Sequence, residues 1–230
     1  MDNKISHVIF DVDGLILDTE KLYTLILEEM LEKYNKKFTW DLKLKQMGKQ
    51  EQEAAKVAID ELNLPITVEE YLKHMHEGQS RLFPKAELLP GAEKLIRHLH
   101  KHKIPIAVAT GSNSYSYALK RQNHGELFDL FHHEVLASSD PEVHKGKPAP
   151  DVFLVAAKRF KNPPQDNKQV LVFEDAPNGV QSALAAGMKC VWIPDSNVSK
   201  SDWEQPLKGV NLILNSLQEF APEEFGLPPF

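Results

Sequence analysis

The stretch "FDVDGLILDTE", residues 10–20, places four acidic residues within eleven positions, directly behind the apolar run "HVIF" (residues 7–10). Carboxylates this close together repel one another and lose hydration if they share a groove. A solvated surface loop would tolerate the crowding, and a bound cation would offset it. The rest of the sequence helps to decide between these two interpretations, a solvated loop and a cation-binding site.

The apolar runs of the chain predict a parallel sheet. Five short runs rich in Val and Ile barely alternate with polar residues, which is typical of strands covered on both faces. They are "HVIF" (7–10), "IPIAVAT" (104–110), "HEVLAS" (133–138), "QVLVFED" (169–175) and "KCVWIP" (189–194), with "VNLILNS" (210–216) as a sixth candidate. Helical patterns separate the later runs, so the sequence predicts a doubly wound, Rossmann-like α/β fold.

A long interval without strand patterns follows the first run. Three helical patterns occupy it instead, at residues 20–35, 52–63 and 68–83, with apolar residues at helical spacing and charges opposite. We interpret residues 19–83 as a helical cap inserted into an α/β core formed by residues 1–18 and 84–230. We also expect the Asp18 side chain to cap the first helix.

Composition excludes several classes of protein. The chain has 230 residues, a net charge of −6 and one cysteine, Cys190. The negative net charge argues against wide contact with nucleic acid. A single cysteine is typical of proteins in a reducing compartment. The start of the chain lacks the pattern of a signal peptide, and no apolar run approaches the length of a membrane span. We expect a soluble, cytoplasmic monomer whose partner is a small phosphorylated metabolite, with neither a nucleic acid polymer nor a membrane as a partner.

Polar side chains follow four of the predicted strands. Because ligands bind outside the carboxyl ends of parallel strands, these clusters are expected to converge. They are Asp11 and Asp13, then Thr110, Gly111 and Ser112, then Lys147, and finally Glu174 and Asp175. Three carboxylates, a lysine and small hydroxyl and amide donors suit a hard cation and a phosphate. A Mg²⁺ ion held by Asp11, Asp13 and Asp175 would therefore explain the crowded acids.

Four motifs in this order resemble those of the haloacid dehalogenase superfamily of phosphatases: "DVDGLILDT" (11–19), "VATGS" (108–112), "KGKPAPDVF" (145–153) and "VFEDAPNG" (172–179). The position of the helical insertion is similar too. The resemblance implies that Asp11 is the nucleophile and forms an aspartyl-phosphate. It implies that Asp13 is the general acid and base, whose backbone carbonyl also binds the metal.

The same resemblance implies roles for the other strand-end residues. Thr110 and the amides of Gly111 and Ser112 would hold phosphoryl oxygens, and Lys147 would neutralise the phosphate and the nucleophile. Asp175 would bind Mg²⁺, with Glu174 as a second metal ligand or a partner for bound water. In the insertion, the turn "MGKQ" (47–50) is expected to face the site, with Lys49 in contact with the substrate.

The implied activity is Mg²⁺-dependent hydrolysis of a phosphomonoester, with pseudouridine 5′-phosphate as the substrate that the resemblance favours. A sugar phosphomutase, or a phosphatase of another small phosphomonoester such as glycerol phosphate, stays open as an alternative. A phosphate-binding protein without activity is disfavoured because the polar set is complete. The histidines at positions 98, 100, 102, 132 and 133 are interpreted as solvated, and "KRQNHGE" (120–126) as an ordinary polar helix end.

Overall fold

A parallel sheet of six strands lies at the centre of the computed structural model, which describes residues 4–46, 51–195 and 208–230. The strands are β1 (His7–Phe10), β2 (Ile106–Thr110), β3 (His133–Leu136), β4 (Val170–Glu174), β5 (Lys189–Trp192) and β6 (Leu212–Ile213). Their order is β3-β2-β1-β4-β5-β6, and all neighbouring pairs are parallel. The predicted α/β sheet is confirmed.

The centre of the sheet is covered on both faces, which explains its uniformly apolar strands. Every residue of β1, β2 and β4 is buried. Phe10 stacks on Phe173 with ring centroids 5.0 Å apart, on the face opposite to Ile9 and Val172. The strand register places Phe10 beside Val108 and Phe173. The residues that follow β1, β2 and β4 therefore emerge at one edge.

In the part of the core that the structure describes, five helices accompany the sheet: α5 (Ala92–Lys101), α6 (Ser114–Arg121), α7 (Gly125–Phe128), α8 (Asp151–Lys158) and α9 (Pro177–Ala185). A glycine ends α9: Gly187 has a φ of +74°, and the next amide, of Met188, donates to the carbonyl of Ala183. Cys190 is fully buried in β5, as its apolar neighbours predict.

Between β1 and α5, the described residues form four helices: α1 (Thr19–Glu32), α2 (Trp40–Gln46), α3 (Glu51–Leu62) and α4 (Val68–Leu82). They enclose an apolar cluster of their own that includes Ile26, Met30, Tyr71 and Phe83. The sequence patterns had not indicated α2. The exact division into residues 19–83 and the rest stays a prediction.

The two chain segments that enter and leave this helical insertion are hydrogen-bonded to each other. The amide of Asp18 donates to the carbonyl of Glu87 over 2.9 Å, and the amide of Leu89 donates to the carbonyl of Ile16 over 2.8 Å. Asp18 occupies the N-cap position of α1, but its side chain makes no capping hydrogen bond. The expectation of a side-chain cap was wrong, and the backbone pairing of Asp18 with Glu87 holds this end of the helix instead.

No helix among the described residues has both the length and the apolar character needed to cross a bilayer.

Candidate active site

A tight turn after β1 brings the first acidic pair to the carboxyl edge of the sheet. The amide of Asp11 still donates to the carbonyl of Phe173, over 3.1 Å, and the amides of Ile16 and Leu17 then turn back to the carbonyl of Val12. Gly14 makes this turn with a φ of +76°, and a Cβ atom there would lie 2.2 Å from Oδ2 of Asp175. Only glycine therefore lets the turn approach Asp175 so closely.

Lys147 joins two of the strand ends. Its ammonium lies 2.6 Å from Oδ1 of Asp11 and 2.6 Å from Oε1 of Glu174. It also donates to the carbonyl of Ala109 over 3.1 Å and lies 5.0 Å from the ring centroid of Phe153. A cation from the segment after β3 is thus fixed between carboxylates that follow β1 and end β4.

Asp11, Glu174 and Asp175 form a buried group with one carboxylate oxygen of each within 4.8 Å of the others. Three ionised carboxylates and the single ammonium of Lys147 would leave a net charge of −2. Burial raises the pKa of Asp11 to about 7, against the lowering effect of Lys147 and with a further rise from Glu174. Burial and the neighbouring Glu174 likewise raise the pKa of Asp175 well above its usual value. The charge and the oxygen ligands of this group fit a divalent cation.

Asp13 lies outside that group and has different partners. Oδ1 accepts from the hydroxyl of Thr19 over 2.6 Å, and Oδ2 accepts from the hydroxyls of Ser112, over 2.9 Å, and Thr110, over 3.3 Å. Burial tends to raise the pKa of Asp13, but its ion pair with Lys120 and these hydrogen bonds outweigh burial and lower it below its usual value. Two acids two positions apart in sequence thus have opposite electrostatic surroundings.

Lys120 is the polar residue at this edge that the sequence reasoning missed. Its ammonium lies 2.6 Å from Oδ1 of Asp13 and donates to the hydroxyl of Ser112 over 2.7 Å. The side chain is 0% exposed, whereas the surrounding sequence suggested a solvated helix end. The available signal was its place on the apolar side of α6, four residues after the buried Ser116 and three after the buried Tyr117.

The predicted phosphate-binding residues surround an open space. A Cβ atom at Gly111 would contact nothing within 4 Å. The amide of Ser112 donates to the hydroxyl of Thr110 over 3.1 Å, so these two residues contact each other as well as Asp13. The structure brings Asp11, Asp13, Thr110, Gly111, Ser112, Lys147, Glu174 and Asp175 to one edge, as the sequence predicts, while their roles stay predictions.

The predicted substrate contact, Lys49 in the turn 47–50, lies outside the described residues. The neighbouring Glu51, first residue of α3, accepts from the side-chain amide of Asn113 over 3.3 Å. Asn113 follows the Thr110–Ser112 segment directly. The start of α3 in the insertion therefore lies over the end of β2.

A cavity of about 720 Å³ lies between the insertion and the sheet edge. Its lining includes Gly14 and Asp175 at the sheet edge, Leu25 and Phe38 from the insertion, and Ser216 from the segment after β6. This volume lies within the range of about 300–1,000 Å³ typical of small-molecule sites. The cavity therefore has room for a ligand beside the carboxylate group.

His98 and His133, which the sequence analysis interprets as solvated, are hydrogen-bonded to backbone carbonyls. His98 hydrogen-bonds the carbonyl of Pro228, and His133 hydrogen-bonds the carbonyl of Ala156, so neither is merely solvated. Among the residues that the structure describes, the group that could hold a metal consists of Asp11, Glu174 and Asp175 and contains no histidine.

Comparisons with known proteins bear on this arrangement. The family model of haloacid dehalogenase-like hydrolases matches residues 5–187. The chain is 50% identical over 228 residues to (DL)-glycerol-3-phosphatase 2 of Arabidopsis thaliana, with 98% of this chain and 93% of that protein covered. It is 46% identical over 227 residues to a probable pseudouridine-5′-phosphatase of Drosophila melanogaster, with 99% and 96% covered. A solved HAD hydrolase, family IA, variant 3, from Entamoeba histolytica HM-1:IMSS is 26% identical with a TM-score of 0.75, and the match covers 96% of this chain and 97% of that one.

Proposed function

We propose a two-step mechanism of phosphomonoester hydrolysis for this chain, which belongs to the haloacid dehalogenase-like hydrolase family and is a phosphatase. The observation that carries the proposal is the position of Lys147, whose ammonium lies 2.6 Å from Asp11 and 2.6 Å from Glu174. A fixed cation beside a buried carboxylate is what a nucleophile needs when it approaches an anionic phosphoryl group.

In the first step, a carboxylate oxygen of Asp11 attacks phosphorus, and the bond from phosphorus to the ester oxygen breaks. The carboxyl of Asp13 must first take up a proton, because its ion pair with Lys120 and its hydrogen bonds keep its pKa below the usual value. It then gives that proton to the departing oxygen, which leaves as an alcohol. The product on the protein is an aspartyl-phosphate at Asp11, so one difficult displacement becomes two easier ones.

In the second step, a water molecule attacks the phosphorus of the aspartyl-phosphate. The Asp13 carboxylate takes the proton of that water, and the bond from phosphorus to the Asp11 oxygen breaks. Inorganic phosphate leaves, Asp11 is again a carboxylate, and Asp13 is again protonated. Asp13 is suited to both steps because its carboxylate is two residues from Asp11 and is held by hydroxyl groups from two segments.

The phosphoryl oxygens are held by the hydroxyl of Thr110, the amides of Gly111 and Ser112, and the ammonium of Lys147. Open space at Gly111 supports this assignment, because a phosphoryl group needs room beside the backbone amides. Binding a phosphoryl group would require Thr110 and Ser112 to exchange part of their contact with Asp13 for contact with phosphate.

The residues present also fit Mg²⁺. Asp11, Asp175 and the backbone carbonyl of Asp13 would hold the ion, with Glu174 as a ligand or as a partner for bound water. When bound, the ion supplies the positive charge that offsets the carboxylates and the phosphoryl oxygens. The net charge of −2 that full ionisation of the three carboxylates would leave beside Lys147 supports this proposal.

Pseudouridine 5′-phosphate is the substrate that we propose first, and its products are pseudouridine and phosphate. The cavity of about 720 Å³ supports it, because a nucleoside needs far more room than a triol does. Glycerol 3-phosphate is the second candidate, supported by the 50% identity to the Arabidopsis glycerol-3-phosphatase. Both substrates release a primary alcohol, a poor leaving group that needs a proton from Asp13.

A phosphate-release assay over matched phosphomonoesters tests the proposal. Pseudouridine 5′-phosphate is compared with uridine 5′-phosphate, which differs only in the linkage of base to ribose, with glycerol 3-phosphate and with β-glucose 1-phosphate. We expect the highest kcat/KM for pseudouridine 5′-phosphate. A higher value for glycerol 3-phosphate would establish the second candidate, and isomerisation of the sugar phosphate without phosphate release would indicate a mutase instead.

The helical insertion is proposed to select the substrate as a cap, since the phosphoryl chemistry is common to many substrates. The two paired linkers, at Ile16–Asp18 and Glu87–Leu89, are where such a cap would move against the core. The cytoplasmic location and the monomeric state stay predictions.

A further inference from the structure

Lys120 is a charged residue buried inside the fold. Its side chain is 0% exposed, although taking an ammonium out of water is costly unless it is paired. The next residue on α6, Arg121, is 29% exposed and pairs with Asp129 and Glu134 at the surface. Position 120 lies on the buried side of α6 with Ser116 and Tyr117, where an uncharged residue would avoid that cost, so the buried ammonium needs a separate explanation.

The hydrogen-bond and ion-pair partners of Lys120 explain its burial. The ammonium contacts Oδ1 of Asp13 at 2.6 Å and the hydroxyl of Ser112 at 2.7 Å, and Ser112 in turn donates to Oδ2 of Asp13 over 2.9 Å. Lys120 therefore reaches both oxygens of the Asp13 carboxylate, one directly and one through Ser112. Among the described residues it is the cation in contact with Asp13, just as Lys147 is the cation in contact with Asp11.

Two aromatic rings also lie close to the ammonium of Lys120. The ammonium lies 4.8 Å from the ring centroid of Phe83 and 5.2 Å from that of Tyr23, distances at which a ring face attracts a cation. Tyr23 belongs to α1 and Phe83 follows α4, so both come from the insertion, whereas Lys120 comes from the core. These contacts leave the ammonium little freedom to leave Asp13.

We propose that Lys120 is a positioning residue, which holds the Asp13 carboxyl group where it serves as general acid and base. The proposal rests on the role given to Asp13 in the proposed function. Lys120 does not touch the reacting atoms in this arrangement; it acts by fixing a carboxylate that otherwise has only neutral hydroxyl partners. Misplacing a catalytic group by about 1 Å is enough to cost roughly 100-fold in rate.

The test uses Lys120→Met, which keeps the length of the side chain and removes its charge, with p-nitrophenyl phosphate as the substrate. The nitrophenolate ion leaves without a proton, so the first step does not need Asp13, whereas hydrolysis of the aspartyl-phosphate does. We expect a rapid burst of about one nitrophenolate per enzyme, followed by a steady state slowed roughly 10- to 100-fold relative to wild type. With glycerol 3-phosphate, or with pseudouridine 5′-phosphate, both steps slow and no burst of alcohol precedes the steady state.

Arg121→Met is the matched control, because it removes the neighbouring charge of the same helix, and it should behave as wild type. Asp13→Asn and the double variant complete a cycle. If Lys120 acts through Asp13, the double variant should be no slower than Asp13→Asn alone. The double variant removes both charges together, so its comparison with Asp13→Asn can still be made if Lys120→Met folds poorly.

The outcomes separate this inference from the proposed function. Wild-type rates for Asp13→Asn would overturn the role of Asp13 and, with it, this proposal. A slow Asp13→Asn together with a Lys120→Met that keeps wild-type steady-state rates would overturn the role of Lys120 alone. A Lys120→Met whose burst and steady state fall by one common factor, or strictly additive losses in the cycle, would show a merely structural lysine.

Discussion

Gly179 packs directly against the carboxylate of Glu174. A Cβ atom at Gly179 would lie 1.8 Å from Oε1 of Glu174, the same oxygen that accepts from Lys147. The other oxygen of Glu174 accepts from the amides of Asp175 and Ala176 over 3.0 and 3.1 Å. The hydrogen bond from Lys147 to Glu174 therefore depends on the absence of a side chain at Gly179 of α9.

Gly179→Ala should displace the Glu174 carboxylate and, through it, the ammonium of Lys147. We expect kcat to fall roughly 10- to 100-fold from misplacement of the phosphate-binding charge, and the free energy of unfolding to fall by about 1–3 kcal/mol from overpacking. Urea denaturation and steady-state kinetics measure the two effects. Gly125→Ala is the control, because a Cβ atom there meets nothing within 4 Å. Equal behaviour of the two variants would contradict the packing argument.

Asp11→Asn should abolish turnover and leave the fold intact. The substitution keeps the volume and removes the attacking charge, so we expect kcat to fall at least about 10³-fold, as when an enzyme loses its nucleophile. Because burial and nearby acids raise the pKa of Asp11 to about 7, the fold disfavours its charge, and the variant should melt at the wild-type temperature or higher. Near-normal turnover in a well-folded variant would refute the assignment, and Asp41→Asn, on an exposed residue, controls for the loss of a surface acid.

Chelation should stop the reaction, and Mg²⁺ should restore it. When ionised, the three buried carboxylates carry more negative charge than Lys147 offsets, so without a cation the ionised group should repel phosphate. Added Mg²⁺ should also raise the melting temperature of the chelated protein, since a ligand that binds only the folded state stabilises it. Asp175→Asn should reduce that rise. Full activity in exhaustively chelated buffer, or the same rise in wild type and variant, would exclude this metal site.

Sequence patterns predicted the parts of the site that short motifs describe. The residues after β1, β2 and β4 follow uniformly buried runs, and parallel strands bring their ends together without further information. Lys147 follows a strand as well, and Gly187 ends α9 where its position predicts. These features are local in sequence, or follow from the direction of the strands.

Lys120 could not be predicted in this way, because its burial depends on residues from three distant segments. Asp13, Tyr23 and Phe83 surround it only after the insertion has folded against α6. In the sequence it begins a polar run, "KRQNHGE", that reads as an exposed helix end. The prediction of a side-chain cap by Asp18 was wrong for a similar reason. The partner of Asp18 is the backbone carbonyl of Glu87, which lies on the second linker.

Acid should destabilise the fold through two histidines at the opposite edge of the sheet. His7 and His133 pack on Phe160 with ring centroids 4.6 and 4.7 Å away, and each hydrogen-bonds a backbone carbonyl through Nε2. Burial lowers the pKa of both below 6.5, despite those hydrogen bonds. For His133 the charge of Arg159 adds to the effect.

The folded protein therefore binds fewer protons at these histidines than the unfolded chain does. Stability should be fully present above pH 6.5 and decline as the pH falls from there through the lowered folded values. Asp11 and Asp175, whose pKa values are raised, act in the opposite direction, so the contribution of His133 is measured as a difference between variants. Between pH 7.5 and 5.5, acid should lower the urea midpoint more in wild type than in His133→Gln. An unchanged pH dependence in that variant would exclude His133 as a source, and His100→Gln, on an exposed residue, is the control.

The final prediction concerns substrate choice by the turn at residues 47–50. The start of α3 lies over the end of β2 through Glu51 and Asn113, and in the sequence Lys49 and Gln50 directly precede Glu51. Lys49→Ala with Gln50→Ala should lower kcat/KM roughly 10-fold or more for the preferred substrate, on the scale of one or two lost polar contacts. The loss should be smaller for p-nitrophenyl phosphate.

The comparison of substrates decides this prediction, because p-nitrophenyl phosphate has a good leaving group and needs less help from the insertion. Lys45→Ala is the matched control: Lys45 is on α2, just before the turn, and pairs with Glu61 at the surface, so both substrates should react at wild-type rates. If Lys49→Ala with Gln50→Ala lowers the rates for both substrates by the same factor, residues 47–50 do not contribute to recognition of the leaving group. Specificity would then have to come from other residues of the insertion that line the cavity, and Leu25 and Phe38 would be the next residues to replace.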